Sequence, residues 1–275
     1  MTWIDSYERR IHIISEFSPP QNATLDYTEV NADLVIVASN PGHSIRVESA
    51  LASAYLQYRK HANSLATLTI RDLDELIIMS DLLGLVMWDV CGAVIVAGDQ
   101  YPTSRNDSHR RSALTTSEVI GKGKRLLTKH NISADRFKIG SALDLNRDLK
   151  SVVRLAETRV RMGCDFFITQ PIFSADKALY FQDLYRKLIG KDLGAPVYYG
   201  LQVLKPGSLC FSNVPSNVNA EVEKFSDNLS HLKEIAERLV EQGQTCFYTV
   251  PPFYRGGRRD YPICAMLNDS LRSML

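Results

Sequence analysis

With 275 residues, 32 basic against 31 acidic side chains and a formal net charge of +1, the chain has no global field to draw it to nucleic acid or an anionic membrane. Hydrophobic residues at 45% and charged residues at 23% are ordinary for a globular protein and leave ample apolar material for a large core. The five cysteines (Cys91, Cys164, Cys210, Cys246 and Cys264) include no C-x-x-C pair and no zinc-like spacing with histidine, so buried thiols in a reducing compartment are expected and a metal site is not. Met1 to Asp5 lacks the basic-then-apolar pattern of a secretory signal. The longest apolar stretch, Leu73 to Val90, is interrupted by Asp74, Glu75, Asp81 and Asp89 and reads as a buried helix, not a membrane span. A soluble cytoplasmic protein is the expectation.

Strand-like runs recur along the chain. The first is Ile11 to Phe17, halted by Pro19-Pro20. Asp33 to Ser39, Leu65 to Ile70 and Ala93 to Asp99 follow, then Phe137 to Leu143, Asp165 to Gln170, Pro196 to Val203 and Thr245 to Val250. Most are near-continuously apolar, as parallel strands covered on both faces should be. Helical periodicity fills the gaps: Ser44 to Lys60, Leu73 to Leu85 opening after Asp72, Thr116 to His130, and Asp148 to Met162 stopped by Gly163. Ala175 to Ile189, Ala220 to Gln242 and Pro262 to Leu275 complete the set. Eight β/α repeats on this length predict an α/β protein with one domain over residues 1–275, a single (β/α)8 TIM barrel. No G-x-G-x-x-G follows the first strand, which argues against an open dinucleotide-binding sheet.

Two long loops, Gln100 to Ser112 and Leu204 to Asn219, follow the fourth and seventh strands on the face where barrel enzymes build their sites. Polar residues end four otherwise apolar strands: Glu16, Asp99, Gln170 and Gln202. A carboxyl group in apolar surroundings holds its proton more tightly, which suits such a residue to general acid work near neutrality; Glu16, between Ile13-Ile14 and Phe17, is the candidate. Asp99 follows Gly98, where the backbone leaves room for a ligand, and the amide of Gln170 suits the edge of a heterocycle. No lysine ends a strand, which disfavours Schiff-base chemistry. Arg255-Gly256-Gly257-Arg258-Arg259, after the last strand, reads either as an anion cradle or as a solvated basic turn.

Ser15-Glu16-Phe17-Ser18-Pro19-Pro20 resembles the F-E-F-x-P-P opening of the methylenetetrahydrofolate reductase family. Ala66-Thr67-Leu68-Thr69, Val96-Ala97-Gly98-Asp99 and Ile168-Thr169-Gln170-Pro171-Ile172-Phe173 are similar to its H-L-T, R-G-D and I-T-Q-x-x-F segments, in the family's order from residue 11 to about 250. The resemblance implies reduction of methylenetetrahydrofolate to methyltetrahydrofolate with FAD and NAD(P)H. Glu16 would be the general acid, and Asp99 a second catalytic group that also touches pterin and flavin. Gln170, Phe173 and Gln202 would line the folate pocket. Thr67, Ala97, Gly98 and Arg159 fall at cofactor-binding positions, but Thr67 replaces the family's histidine and Ala97 its arginine. These departures imply that folate binding is kept while flavin is bound differently, weakly or not at all. A folate-binding partner subunit and a folate-dependent methyltransferase are the alternative readings. Oligomeric state stays open between a homo-oligomer and a partner subunit.

Overall fold

The computed structural model describes residues 10–71, 73–98, 114–210 and 212–274. The eight strands are β1 (His12–Phe17), β2 (Leu34–Val37), β3 (Ser64–Thr69), β4 (Gly92–Val96), β5 (Lys138–Leu143), β6 (Phe166–Pro171), β7 (Val197–Gln202) and β8 (Cys246–Val250). Every neighbouring pair is parallel, and β8 pairs back onto β1, so the sheet closes into a barrel. Each strand lies within or against a run read from the sequence, which follows from the uninterrupted apolar text that a doubly covered parallel strand requires.

The helices are α1 (Ser49–Arg59), α2 (Glu75–Met87), α3 (Thr116–Lys129), α4 (Leu149–Arg161), α5 (Ala175–Ile189), α6 (Ser216–Phe225), α7 (Leu229–Glu241) and α8 (Tyr261–Arg272). The starts of α2, α3, α4, α5 and α8 are set by short polar side chains that accept from otherwise unpaired backbone N–H groups. Asp74 accepts from Ile77 on α2, and Thr115 and Glu118 form a reciprocal capping box on α3. The expected cap Asp72 lies outside the described residues. The stretch expected as one helix from Ala220 to Gln242 is two, broken at left-handed Ser226. The cause is Asn228, fully buried: its Oδ1 accepts from Leu204 N at 2.7 Å and its Nδ2 donates to Gln202 O at 3.2 Å, closing the end of β7. Leu204 to Asn219 is only partly loop, because α6 begins at Ser216.

Outward-facing strand residues such as Ile13, Leu68, Ile95, Ile139 and Leu201 pack under the helices, while Ile14, Leu34, Leu65, Val94, Phe166 and Tyr198 fill the barrel interior. Gly140 is part of that filling: a Cβ there would stand 2.4 Å from the Phe166 ring. The expectation of a wholly buried α2 fails on its outer side, where Leu76 is 76% and Met87 70% exposed. No described helix is long and apolar enough to cross a membrane. All five cysteines are free, and burial pushes the Cys164 and Cys246 thiols up to about 12.

Low in the barrel, His12 is 3% exposed and its Nδ1 lies 2.9 Å from the Tyr198 hydroxyl. Burial lowers its pKa from 6.5 to about 4, with Asp33 opposing the shift and Arg10 and Arg272 adding to it. The folded chain therefore refuses a proton that the unfolded chain accepts as pH falls from 6.5 towards 4, and stability drops over that window. By pH 4.5 this one group should cost about 2–3 kcal/mol relative to pH 7. Urea titrations at both pH values should show that much less acid sensitivity in His12→Gln than in the wild type; equal sensitivity would clear His12.

Candidate functional site

The site is built at the C-terminal ends of the strands, where β1 meets the segment after β8. Glu16 shares the inward face of β1 with Ile14 and is half-buried. Tyr248, opposite Ile14 in the register, projects up the interior and donates its hydroxyl to Glu16 Oε2. Arg259 donates from Nη2 to Glu16 Oε1, and its side chain is only 4% exposed. Glu16 thus sits in a charge pair with a phenol alongside, not in the apolar surround expected of it. Burial first, then the Glu16 charge, raises the Tyr248 hydroxyl well above its ordinary value, which keeps it a donor.

Arg259 reaches Glu16 because the chain after β8 doubles back. Phe253 and Arg259 form an antiparallel bridge, and Tyr254 N donates to Arg258 O at 3.0 Å. The turn between them needs positive φ at Gly256 and Gly257 (81° and 84°), which glycine adopts without strain. The guanidinium of Arg259 then lies 4.4 Å over the Phe253 ring, with Nε on Ser18 Oγ at 2.7 Å and Nη1 on Pro251 O at 3.2 Å. Tyr261 accepts from Ser18 N and stacks on Phe17, and Arg46 donates to Pro19 O at 2.7 Å. Glu16, Phe17 and Ser18 are therefore clamped against the segment after β8, and Pro19 against Arg46 from the connection between β2 and α1. Arg255 and Arg258 stay exposed, with Arg258 covering Tyr254 at 4.4 Å, while Arg259 of the same run holds the Glu16 carboxylate.

Gln170 stands exposed between buried Thr169 and Pro171 at the same end of the barrel. The β6–β7 register shifts between Ile168 and Pro171, and the Thr169 hydroxyl accepts from Gly200 N at 2.8 Å. Such a bulge re-aims the side chain it carries, and Gly200 permits it, since a Cβ there would meet Thr169 O at 2.7 Å. Thr67 is half-exposed on the inward face of β3, in line with Leu65. Ala97 is exposed, and Gly98 is left-handed (φ 87°) with its carbonyl accepting from Arg71 Nη2 at 2.6 Å. Asp99 and the loop Gln100 to Ser112 lie outside the described residues.

Two expected roles, those of Gln202 and Arg159, meet obstacles. Gln202 is 3% exposed and both ends of its amide are taken: Nε2 donates to Leu209 O at 2.9 Å, and Oε1 accepts from Cys210 Sγ at 3.1 Å. It holds the loop after β7. Phe173 packs against Leu204, Val218 and Val222 as part of the wall beneath that loop. Arg159, placed on the cofactor side, is buried against the barrel wall and donates to Ala142 O, which leaves it no surface to offer a flavin phosphate. With Ala97 uncharged and Thr67 in place of a ring nitrogen, the described residues do not fit the flavin cradle implied by the resemblance. Among them, no three His, Cys, Asp or Glu side chains converge as a metal site. One cleft, about 300 Å³, lies away from the mouth between α3 and α4, and another, about 120 Å³, lies between the starts of α5 and α7 beside Phe173.

Tyr248 and Arg259 are the site residues that the strand-end reading passes over. Removing one partner of a buried ion pair leaves the other charge stranded, at about 3 kcal/mol. Arg259→Met should destabilise by that order in chemical denaturation, and adding Glu16→Leu should restore part of the loss. A double variant no more stable than Arg259→Met alone would dismiss the pair as a structural link.

The chain matches no known family profile and no curated protein sequence. Among solved structures it is similar to a protein from Clostridium thermocellum described as binding two copies of 5-methyl-5,6,7,8-tetrahydrofolic acid, with a TM-score of 0.69, 13% identity, and coverage of 98% of this chain and 97% of that one. It is also similar to 2,3-dimethylmalate lyase, of the PEP mutase/isocitrate lyase superfamily, with a TM-score of 0.54, 10% identity, and coverage of 95% and 80%. At these identities what is shared is the fold, a single (β/α)8 barrel.

Proposed function

We propose that the barrel mouth binds a reduced folate, with Glu16 and Gln170 reading the pterin edge. The observation that carries the reading is the pinning of Glu16 at the mouth by Arg259 and Tyr248. Each carboxylate oxygen has two acceptor directions, so one bond to each leaves a second on each oxygen for the N–H groups of a 2-amino-4-oxo pterin. Exposed Gln170 adds a donor and an acceptor from the opposite side of the ring of strands. The same-fold protein that binds 5-methyltetrahydrofolate, and the E-F-x-P-P and I-T-Q segments in the family's order, support this ligand class.

A binding role, as a carrier or a partner subunit, suits this geometry better than acid catalysis. Both carboxylate oxygens of Glu16 already accept, one from Tyr248 and one from Arg259, an arrangement that serves an acceptor for ligand N–H groups. The second reading is a reductase that draws hydride from NAD(P)H through FAD. It is favoured by Glu16 and Gln170 standing at one end of the barrel and opposed by Ala97 and the buried Arg159. A methyltransferase has no observation of its own.

Calorimetry with 5-methyltetrahydrofolate and methylenetetrahydrofolate separates these. If Glu16 is a binding carboxylate, Glu16→Gln should weaken affinity about 10-fold or more, since a charge-assisted bond contributes about 1.5–3 kcal/mol, and Gln170→Ala should weaken it severalfold, since a neutral bond contributes about 0.5–1.5 kcal/mol. If Glu16 is instead a general acid, Glu16→Gln keeps affinity within a few fold and loses NAD(P)H-dependent turnover. A stoichiometric yellow chromophore in the purified protein would favour the reductase. Absence of folate binding by the wild type would end both readings.

A further inference from the structure

Helices α1 and α2 lie side by side on the outer wall and run the same way, since each returns from the mouth to the opposite end of the barrel. Leu51, Tyr55 and Tyr58 fall at i, i+4 and i+7 on α1, which makes one stripe, and all three are exposed. On α2, Leu76 and Met87 are three turns apart on one edge and Trp88 follows, also exposed. Trp88 meets Tyr58 edge-on at 5.4 Å, joining the two helices into one continuous apolar surface. Sequence sets the problem: only Glu75, Ser80 and Asp81 are polar among the thirteen residues of α2, and a helix apolar nearly all round demands cover on both sides.

We infer that this α1–α2 face is the contact surface of a two-fold dimer of this chain. Area is the first argument. The six residues expose on the order of 700 Å² in all, which exceeds the few hundred typical of a monomer's largest patch and approaches what one partner gives to a standard interface. Their chemistry is the second: aromatic, leucine and methionine residues with few charges are what the centre of an interface holds. The charges at its ends are the third. Glu48 and Asp74 cap the helices at the mouth end, while Arg59 and Lys60 stand at the other end of α1. A two-fold axis perpendicular to the helices lays one copy antiparallel on the other, setting each acidic end against the partner's basic end. The surface complements itself, which is the requirement of an isologous contact.

Gly84 supplies the test. It is on α2 one turn before Trp88, its φ is not in the left-handed range, and a Cβ there meets nothing within 4 Å. Gly84→Arg therefore disturbs nothing inside one copy and adds helix propensity, yet inserts a bulky charge between two. Sedimentation equilibrium of the full chain should return twice 30.9 kDa for the wild type and 30.9 kDa for Gly84→Arg, with self-association weakened at least about 100-fold. Leu51→Lys, at a side chain 68% exposed, should do the same, and circular dichroism should match the wild type in both. A monomeric wild type at about 50 µM, or a dimer that survives both substitutions, overturns the assignment.

Discussion

The pairing of Glu16 with Arg259 ties the barrel's first strand to the turn after its last. An isolated carboxylate at the inward end of β1 would be costly to bury, and so would an arginine 4% exposed. Each is tolerable only because of the other, and the geometry of both depends on the clamp around them: Tyr248 from below, Ser18 and Pro251 at the sides, Phe253 beneath the guanidinium. The mouth is therefore organised by polar contacts as much as by the closure of the sheet. Its β7–β8–β1 side is packed and bonded, while on the β3–β6 side Thr67, Thr69, Val96 and Ala142 are half-exposed and Gln170 is exposed.

That asymmetry bears on what a ligand meets. On the closed side are groups already engaged, whose remaining bonding capacity is directional; on the open side a single amide is re-aimed by the bulge at the end of β6. A planar heterocycle with donors on one edge and both kinds of group on another fits such a division. A phosphorylated ligand finds less: the arginines after β8 divide between the clamp and solvent, and Arg159 is sealed behind α4.

Much of the fold was legible because its signals are local. Uninterrupted apolar runs mark parallel strands, and short polar caps mark helix starts. The α6–α7 break was not, because Asn228 is needed by the end of β7, which lies over twenty residues away in sequence. In the site, Glu16 and Gln170 could be picked out as polar letters in apolar text. Gln202 carried the same mark for a different reason, since it holds the adjoining loop. Arg259 was marked only as part of a basic, glycine-containing turn, with nothing to pair it with Glu16. Its role arises from two left-handed glycines and a strand 243 positions upstream, and it reads as one of several basic residues in a turn. The outer face of α2 misled in the other direction: strong apolarity implies cover, but the sequence does not say whether the cover is the same copy.

The 243 positions between Glu16 and Arg259 have a bearing on biosynthesis. The first strand leaves the ribosome well before its partner and waits, with its carboxylate unmatched, until the turn after β8 has been made. Assembly of the mouth thus waits on that turn. A chain cut short anywhere before the final turn would present an open β1 edge and an orphaned acid together, features that quality control can recognise in an unfinished product.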